Sequence, residues 1–447
     1  MKSRKEIFFN IFGAGPTGLS LGYYAKKHNM KFRIYEKSNA VGGNCKTIKK
    51  GDFKFDTGAH RLHDKHNEVI ILINKLLKNT LLKVNAPSQI YHEGLMINFP
   101  IEISDVIQKI GYQDLKSILK ELFISSFKKK QIPNDFKQLA FSNYGETVSR
   151  LFLINYTEKL WGENAHNLSV KISGGRLRSH SISNLIKRIL FKKSIDQKHL
   201  DGEFYYPKNG FGEIFESLKN QIGAKNINLN SPIEKIDHEN FYITKFNNQN
   251  CTDPNINIFL NTLPLKVFIK CLNPAPPEKV LNSLNGIMFR DLKVCVMFLN
   301  IPRFSKNASI YYPNSKFPFT RIYEPKNRSE SLAPEDKTCI VIEVPCTRND
   351  DIYYMSDRDF FNKIFNCLLE HRLLSQNNLI DYTVIKMDNA YPIIKVGTEE
   401  RLKPVFKYLG KIKNLYSLGR NADFKYMHTH EIFRRSKKLI DKLNKSN

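Results

Sequence analysis

The sequence is poor in the features that build several common protein classes. Its seven cysteines are spread over 447 residues, their number is odd, and none forms a Cys-x-x-Cys pair. This usage argues against a disulfide framework or a structural zinc site, predicts no metal centre, and favours a reducing, cytoplasmic location. Apolar runs are short as well, and none approaches the ~18 residues that a membrane-spanning helix needs. We therefore do not expect an integral membrane protein.

Acidic residues are also scarce, with 43 Asp and Glu against 70 Lys and Arg, which leaves a formal charge of +27. Such an excess can indicate binding to nucleic acid or to an anionic membrane surface. The basic residues are scattered, however, and the longest run is the three lysines 128–130. We therefore expect no nucleic-acid partner. The basic stretch 434–438 leaves peripheral membrane contact as an alternative to a solvated helix face.

Familiar catalytic motifs are missing too. The chain contains no Gly-x-Ser-x-Gly elbow, no His-Glu-x-x-His pair and no P-loop. It does contain 41% hydrophobic and 12% aromatic residues, which is enough for a buried core. The absence of a recognisable catalytic motif in a folded protein suggests that a bound cofactor carries out the chemistry.

The first 60 residues predict where that cofactor binds. An apolar strand at 7–12 runs into Gly13, Gly15 and Gly18, a helical pattern follows, and a second strand ends in Glu36. The first glycine permits a tight turn, the second lets the backbone approach a pyrophosphate, and the third lets the helix pack on the strand. A carboxylate at the end of the second strand accepts hydrogen bonds from ribose hydroxyls, which favours FAD or NAD.

A second glycine pair follows soon after this loop. Gly42, Gly43 and Asn44 suggest that the backbone packs against the cofactor again. The stretch 53–61 then predicts a strand and a tight turn that presents His60. We expect His60 to face the cofactor ring, and the alternative is a loop histidine that is satisfied by local contacts.

These residues resemble a known family. Glu36, the Gly-Gly-Asn triplet at 42–44 and the pattern Asp56-x-Gly58-x-His60 resemble the FAD-binding half of UDP-galactopyranose mutases and of related protoporphyrinogen-oxidase-like flavoproteins of the amine oxidase superfamily. The amine-oxidase branch usually has arginine where Asn44 stands, so the triplet is similar to that of the mutases. The resemblance implies an FAD cofactor.

The segment 418–426 resembles the C-terminal motif that closes over the flavin in this family. The resemblance implies that Gly419 and Arg420 lie beside the flavin and that Tyr426 reaches a substrate phosphate. The family aspartate two residues after that tyrosine is replaced here by His428.

Two further segments resemble the substrate side of the mutases. The stretch 155–162 resembles the segment whose tyrosine and tryptophan contact the nucleotide sugar, which implies roles for Tyr156 and Trp161. The alternative for Trp161, the single tryptophan, is a core position. The stretch 317–326 resembles the one that carries an active-site arginine, here Arg321; the alternative is a surface ion pair with Glu324.

A second substrate arginine of the mutases is ambiguous in this chain. Both Arg176 and Arg178 are available at the corresponding place, and we take Arg176 as the substrate-binding candidate. Segments 204–210 and 390–392 look more like the oxidase relatives than like the mutases.

The expected architecture is an α/β fold with interleaved domains. We predict a Rossmann-type FAD-binding domain built from discontinuous segments, an interleaved helical region and a β-sheet substrate domain. The expected boundaries are 1–85, 201–265 and 386–447 for the FAD-binding domain, 86–200 for the mainly helical cap, and 266–385 for the substrate domain.

The resemblance implies two kinds of chemistry. In a mutase-like enzyme, N5 of reduced FAD attacks the anomeric carbon of a UDP-sugar in a redox-neutral reaction, with His60 and Arg321 as catalytic candidates. In a protoporphyrinogen- or amine-oxidase-like enzyme, a hydride moves to oxidised flavin. A basic flavoprotein that binds a polyanion without catalysis is the third alternative.

Overall fold

The computed structural model describes residues 7–63, 65–99, 101, 105–106, 109, 111–127, 132–173, 203–240, 242–245, 250–251 and 256–445. The strands in chain order are β1 (Ile7–Phe12), β2 (Lys31–Tyr35), β3 (Thr47–Lys50), β4 (Phe53–Asp56), β5 (Leu81–Asn85), β6 (Ser88–His92), β7 (Leu95–Phe99), β8 (Glu203–Pro207), β9 (Ile227–Asn228), β10 (Ile233–Asp237), β11 (Tyr242–Lys245), β12 (Asn250–Cys251), β13 (Ile256–Asn261), β14 (Leu272–Asn273), β15 (Phe289–Leu299), β16 (Ser309–Tyr311), β17 (Arg321–Tyr323), β18 (Thr338–Cys346), β19 (Leu379–Pro392) and β20 (Leu415–Ser417).

Helices lie between and after these strands. They are α1 (Pro16–Lys27), α2 (Asn67–Leu76), α3 (Tyr112–Phe127), α4 (Phe136–Tyr144), α5 (Glu146–Val148), a π-helical turn (Ser149–Ile154), α6 (Asn155–Trp161), α7 (Glu213–Ile222), α8 (Leu265–Cys271), α9 (Glu278–Asn282), α10 (Asp351–Tyr354), α11 (Asp357–Glu370), α12 (Thr398–Leu409) and α13 (Thr429–Lys445). Short 3-10 turns occur at Val170–Ser173, Ala224–Asn226, Pro325–Asn327, Glu330–Leu332 and Gln376–Asn378.

A five-stranded parallel sheet forms the cofactor-binding half, in the order β20-β13-β1-β2-β9. The central strand β1 pairs with β2 on one side and β13 on the other, so Phe9 lies opposite Phe32 and Ile258. Its apolar sequence suits this position, since a parallel strand in the middle of a sheet is covered on both faces. The sheet draws its strands from distant parts of the chain, and the predicted α/β, Rossmann-type fold class is confirmed.

A larger, mixed sheet of seven strands forms the second half, in the order β19-β15-β18-β17-β16-β6-β7. Strand β15 is second from one edge, between β19 and β18, and is buried along almost its whole length. The hairpin β6–β7 belongs to this sheet, because β6 pairs in parallel with β16. The predicted helical segment 86–200 therefore begins with two strands. The turn between them, Glu93-Gly94, has two residues with positive φ, which is the geometry of a tight hairpin.

Helices α3 to α6 follow this hairpin and pack against the core shared by the two halves. Buried residues of this region belong to the same apolar cluster as buried residues of α8 and α12: Phe136, Val148, Phe152, Trp161, Phe268 and Leu402. The candidate arginines Arg176 and Arg178 lie outside the described residues.

The last helix, α13, is amphipathic and packs on α1 and α2. Phe433 and Ile440 are fully buried in the apolar cluster that also contains Leu21 and Ile70. The basic side chains of α13 lie on its outer face, where Arg434 and neighbouring lysines are exposed. This agrees with a last helix of the cofactor half that carries a solvated basic face. Among the described residues, no helix is long and apolar enough to cross a membrane.

Phe268 of α8 should be a main support of the cofactor half. Its side chain is fully buried and its ring lies 6.3 Å from that of Phe12 in β1. We expect Phe268→Ala to lower the free energy of unfolding by about 3–5 kcal/mol, because it removes apolar contacts and leaves a cavity. Urea denaturation followed by circular dichroism measures this loss.

The neighbouring Val267 provides a matched control, because it lies on the same helix and is 43% exposed. Val267→Ala should change the free energy of unfolding by less than about 0.5 kcal/mol. Equal losses in the two variants would contradict the assignment of Phe268 to the core.

Candidate active site

The glycine loop between β1 and α1 is closed too tightly to admit a side chain at Gly13 or Gly18. Gly13 has a φ of +96°, and its N–H donates to the carbonyl of Tyr35 at 2.8 Å. A Cβ atom added to Gly18 would lie 1.8 Å from the Gly13 carbonyl oxygen. The predicted role of the third glycine therefore has a direct steric cause: α1 packs on the turn at backbone contact distance.

The second glycine pair lies against this loop. A Cβ atom on Gly43 would come within 3.2 Å of the Gly15 Cα atom, and the Gly42 N–H donates to the Ala14 carbonyl at 2.9 Å. Helix α1 begins with Pro16, and it has neither a side-chain cap nor an acidic residue in its first turn. Such an uncapped N-terminus beside two glycine turns fits the pyrophosphate of a dinucleotide.

Glu36 lies directly after β2, beside the glycine loop, and is buried. Its Oε2 atom accepts from the Ala14 N–H at 2.8 Å, and Oε1 accepts from the N–H and the hydroxyl of Ser38. The carboxylate is thus fixed at the end of the second strand, where a dinucleotide presents its ribose. The residues of this cleft fit the adenosine half of FAD.

The C-terminal motif reaches the same cleft from the other side of the sheet. Gly419 has a φ of +129°, and a Cβ atom there would lie 2.9 Å from the Thr17 hydroxyl. Next to it, the Arg420 guanidinium donates through Nε and Nη2 to the Met427 carbonyl, at 3.0 and 2.6 Å. The guanidinium lies over the ring of Tyr426, 5.1 Å from its centroid. The motif thus places a cation and a phenol together.

His60 follows β4 and is held by local contacts. Its Nε2 atom lies 3.1 Å from the Asn44 carbonyl, and its ring stacks on Phe211 at 5.1 Å. Burial, together with the charges of Arg420 and Arg328, lowers the pKa of His60 to about 3. The imidazole is therefore neutral near pH 7 and a weak proton acceptor. Its predicted catalytic role stays a prediction.

Arg321, in β17, forms a buried ion pair with Glu343 of the neighbouring strand β18. Its Nε and Nη2 atoms both donate to Glu343 Oε2, at 2.9 and 2.5 Å, while Oε1 accepts from the Ala59 N–H at 2.9 Å. Burial disfavours the charged guanidinium, but the Glu343 carboxylate opposes this and the net pKa of Arg321 is raised. Arg321 therefore stays a cation and is tied to the loop that carries His60.

Glu324, the alternative partner considered for Arg321, forms hydrogen bonds with other groups. Its carboxylate is buried and accepts from the backbone N–H groups of Phe304 and Ser305 and from the Thr338 hydroxyl at 2.6 Å. A surface ion pair between Arg321 and Glu324 is therefore wrong for this chain.

Aromatic side chains surround the arginines. Tyr391 lies at the end of β19 beneath Arg420, 5.7 Å from its guanidinium carbon, and the ring of Tyr156 meets Tyr311 edge-on at 5.5 Å. Trp161 is only 4% exposed and packs edge-on against Tyr391 and Tyr426, at 5.9 and 6.3 Å. Trp161 thus lies one layer behind the tyrosines, and Tyr156 lies near Arg321.

One cavity brings five of the predicted site residues together. Asn44, His60, Arg321, Arg420 and Tyr426 all line it. Trp161 and Tyr156 lie behind its wall, and Arg176 lies outside the described residues. Other lining residues are Cys45, Arg61, His63, Phe99, Ile101, Leu153, Tyr311, Met387, Tyr391 and His428.

Sequence reasoning missed Glu343, although a signal was present. Glu343 is a lone carboxylate in the otherwise apolar run 339–344, and an isolated charge in a buried strand needs a partner. Tyr311 carries no such signal, because tyrosines are frequent in this chain. Its place at the cavity follows from the pairing of β16 with β6 and β17.

A dinucleotide cleft that opens beside an arginine- and tyrosine-lined cavity defines an FAD-dependent enzyme. The family model for flavin containing amine oxidoreductases matches residues 16–299, which is more than half of the chain. The chain therefore belongs to the flavin containing amine oxidoreductase family, and FAD is its cofactor.

Curated relatives carry two kinds of activity. The dTDP-fucopyranose mutase of Escherichia coli is 24% identical over 221 residues, 47% of this chain and 53% of that protein. The UDP-galactopyranose mutase of Mycoplasma genitalium is 22% identical over 93% of this chain and 90% of that protein. The protoporphyrinogen oxidase of Dictyostelium discoideum is 26% identical over 51% of this chain and 50% of that protein. The chain thus matches about half the length of the first and third relatives.

Solved structures show the same fold. A reduced UDP-galactopyranose mutase superimposes with a TM-score of 0.84 over 99% of this chain and 96% of its own, at 18% identity. At that identity the likeness establishes the arrangement of the chain, and the substrate has to be argued from the cavity.

Gly18→Ala should abolish FAD binding, because its Cβ atom would lie within bonding distance of the Gly13 carbonyl oxygen. We expect protein purified with this substitution to be colourless, whereas the unmodified protein is yellow. Flavin absorbance per mole of protein measures the difference. Gly111→Ala is the control, since no atom lies within 4 Å of a Cβ there. A yellow Gly18→Ala protein would rule out the pyrophosphate loop.

His60 should make folding stability depend on pH in a defined window. Its pKa is about 3 in the folded protein and about 6.5 in the unfolded chain. The unfolded chain therefore binds the extra proton between these values, and stability falls as the pH drops from about 6.5 towards 3. We expect His60→Gln to reduce this loss, measured as the difference in thermal midpoint between pH 7 and pH 5. His166→Gln, on an exposed residue, should leave the difference unchanged.

Proposed function

We propose that this chain is an FAD-dependent mutase that acts on a nucleotide sugar. The observation that carries the proposal is the ion pair between Arg321 and Glu343 at the wall of the cavity. Glu343 uses Nε and Nη2 of the guanidinium, and Nη1 makes no hydrogen bond to any residue in the described part of the chain. A rigid guanidinium with one donor group unused suits a phosphate or a sugar hydroxyl.

When FAD is bound and reduced, it would supply a nucleophilic nitrogen, N5, that can react with the anomeric carbon of the sugar. The chain's own part is binding and orientation. Arg420 contributes a second cation beside Tyr426, so one end of the cavity is suited to a diphosphate. Trp161 supports this end from behind, through edge contacts with Tyr391 and Tyr426.

Two tyrosines at or beside the cavity, Tyr391 and Tyr156, act as donors and not as bases. Burial, reinforced by the Glu343 charge, raises the pKa of Tyr391 to about 12, and burial also raises the pKa of Tyr156. Both phenols therefore keep their protons, and Tyr391, which lines the cavity, can donate to anionic oxygens. His60 is a weak base as well, which fits a redox-neutral displacement in which His60 removes no proton from carbon.

The relatives support the class of substrate. Two of them are named dTDP-fucopyranose mutase and UDP-galactopyranose mutase, and both names denote a six-membered sugar ring linked to a nucleoside diphosphate. We propose the same class here, with UDP-galactopyranose as the first compound to test. We also propose the division into an FAD-binding domain, a cap and a substrate domain at the boundaries given above, and a location in the cytoplasm.

A flavin oxidase is the second candidate, and part of the cavity favours it. The cavity has apolar walls as well as polar ones, because its lining includes Phe99, Ile101, Leu153, Leu292 and Met387. An amine or a porphyrinogen would suit these walls. The protoporphyrinogen oxidase of D. discoideum is a relative of similar identity.

Activity with and without dithionite separates the two candidates. We expect the reduced enzyme to convert UDP-galactopyranose into a furanose isomer, seen by chromatography, and the oxidised enzyme to be inactive. Peroxide release from an amine or a porphyrinogen, without sugar isomerisation, would overturn the proposal. UDP should also change the emission of Trp161, the single tryptophan, because its ring contacts two tyrosines of the cavity.

Arg321→Lys should lower kcat/KM for the nucleotide sugar by about 100-fold, because lysine keeps the charge but loses the planar donor set. FAD content should be unchanged, since the glycine loops are intact. Arg303→Lys is the matched control, because Arg303 also pairs with a glutamate, Glu330, but does not line the cavity. Equal activity in the two variants would contradict the role of Arg321.

A further inference from the structure

The geometry points to a β-bulge in β19, residues 388–390, as the element that couples the two cofactor motifs to the tyrosine wall of the cavity. We infer that Asn44, Asn421 and Asp291 are positioning residues that hold this bulge. The inference rests on the proposed function for the identity of the ligand, and on the described contacts for the coupling itself.

The register of the sheet defines the bulge. Strand β19 pairs with β15 so that Met387 lies opposite Leu292 and Tyr391 lies opposite Arg290. Between these pairs β15 has a single residue, Asp291, which faces all three residues of the bulge. Asn389 in its middle has a φ of +53°, in the left-handed region. Bulges of this kind change the direction of the side chains that follow them.

Three side chains from three segments hold the backbone of the bulge. Asp291 Oδ1 accepts from the Asn389 N–H at 2.7 Å. Asn44 Nδ2 donates to the Asp388 carbonyl at 3.2 Å, and Asn421 Nδ2 donates to the Asn389 carbonyl at 2.7 Å. Both asparagines belong to cofactor motifs: Asn44 ends the second glycine pair and Asn421 follows Arg420.

The buried location of these contacts makes the bulge rigid. Asp291 is 2% exposed, and the Arg348 guanidinium bridges it to Asp388 from the outer side, at 3.9 and 3.5 Å. A buried backbone group that loses its partner costs more than an exposed one, so the arrangement favours one conformation.

The bulge determines where the cavity wall stands. Met387, Ala390 and Tyr391, which lie next to it or in it, all line the cavity. Tyr391 in turn lies under Arg420 and beside Trp161. A shift of the bulge would therefore move the tyrosine wall relative to the flavin, while the glycine loops that bind the pyrophosphate stay in place.

A matched pair of substitutions at one position tests this inference. Asn389→Gly keeps the bulge, because glycine adopts the left-handed conformation readily, whereas Asn389→Val disfavours it through its β-branched side chain. Asn421→Ala is the second variant, which removes the donor to the Asn389 carbonyl and leaves the bulge sequence intact. All three holoproteins should retain one FAD per chain.

We expect Asn389→Val and Asn421→Ala to weaken UDP binding by about 10- to 100-fold, measured through Trp161 emission, and to change the visible circular dichroism of the bound flavin. Asn389→Gly should match the unmodified protein in both measurements. If the Asn389→Val and Asn421→Ala proteins also match the unmodified protein, the inference is overturned.

Hydrogen exchange tests the coupling without any substrate. Disrupting the bulge with Asn389→Val should speed amide hydrogen exchange in residues 379–392. It should also speed exchange in residues 418–427, the segment to which Asn421 belongs. Faster exchange confined to 379–392 would overturn the coupling. If UDP fails to bind the unmodified protein, the nucleotide-sugar proposal fails, while the exchange and circular dichroism results still decide the role of the bulge.

Discussion

The buried ion pair between Arg321 and Glu343 is the interaction on which the site depends. Glu343 accepts from Arg321 with one oxygen and from the Ala59 N–H with the other, so it joins the seven-stranded sheet to the loop after β4. Removing one partner of a buried pair is costly, at about 3–5 kcal/mol, because the other charge is left uncompensated. The pair thus fixes a cation at the cavity and the relative position of the two halves that form it.

The cofactor half is constrained by backbone proximity. Gly13 and Gly18 approach so closely that a Cβ atom has no space, and Gly43 closes on Gly15 in a similar way. These contacts leave an uncapped helix N-terminus facing the cleft. The same chain then returns at Gly419, where a glycine again permits close contact with α1. These backbone contacts give the cleft the shape that fits FAD.

A few of the excess positive charges have a place at or beside the cavity. Arg321 and Arg420 line the cavity, and Arg328 is buried against the His60 carbonyl, to which its Nη1 donates at 2.7 Å. Together these charges help to keep the imidazole of His60 neutral. The basic face of α13 is solvated, with its apolar face packed on α1 and α2.

The sequence by itself determined the cofactor and the fold class, because glycine spacing, strand order and the acid at Glu36 are local signals with strict steric causes. It also singled out Arg321, Arg420 and Tyr426, which line one cavity in the structure and whose roles stay predictions. It did not reveal Glu343 as the partner of Arg321, the strands within 86–99, or the place of Trp161 behind the wall. Those features arise from pairings between residues far apart in the chain, and only the tertiary structure decides which strands and side chains meet.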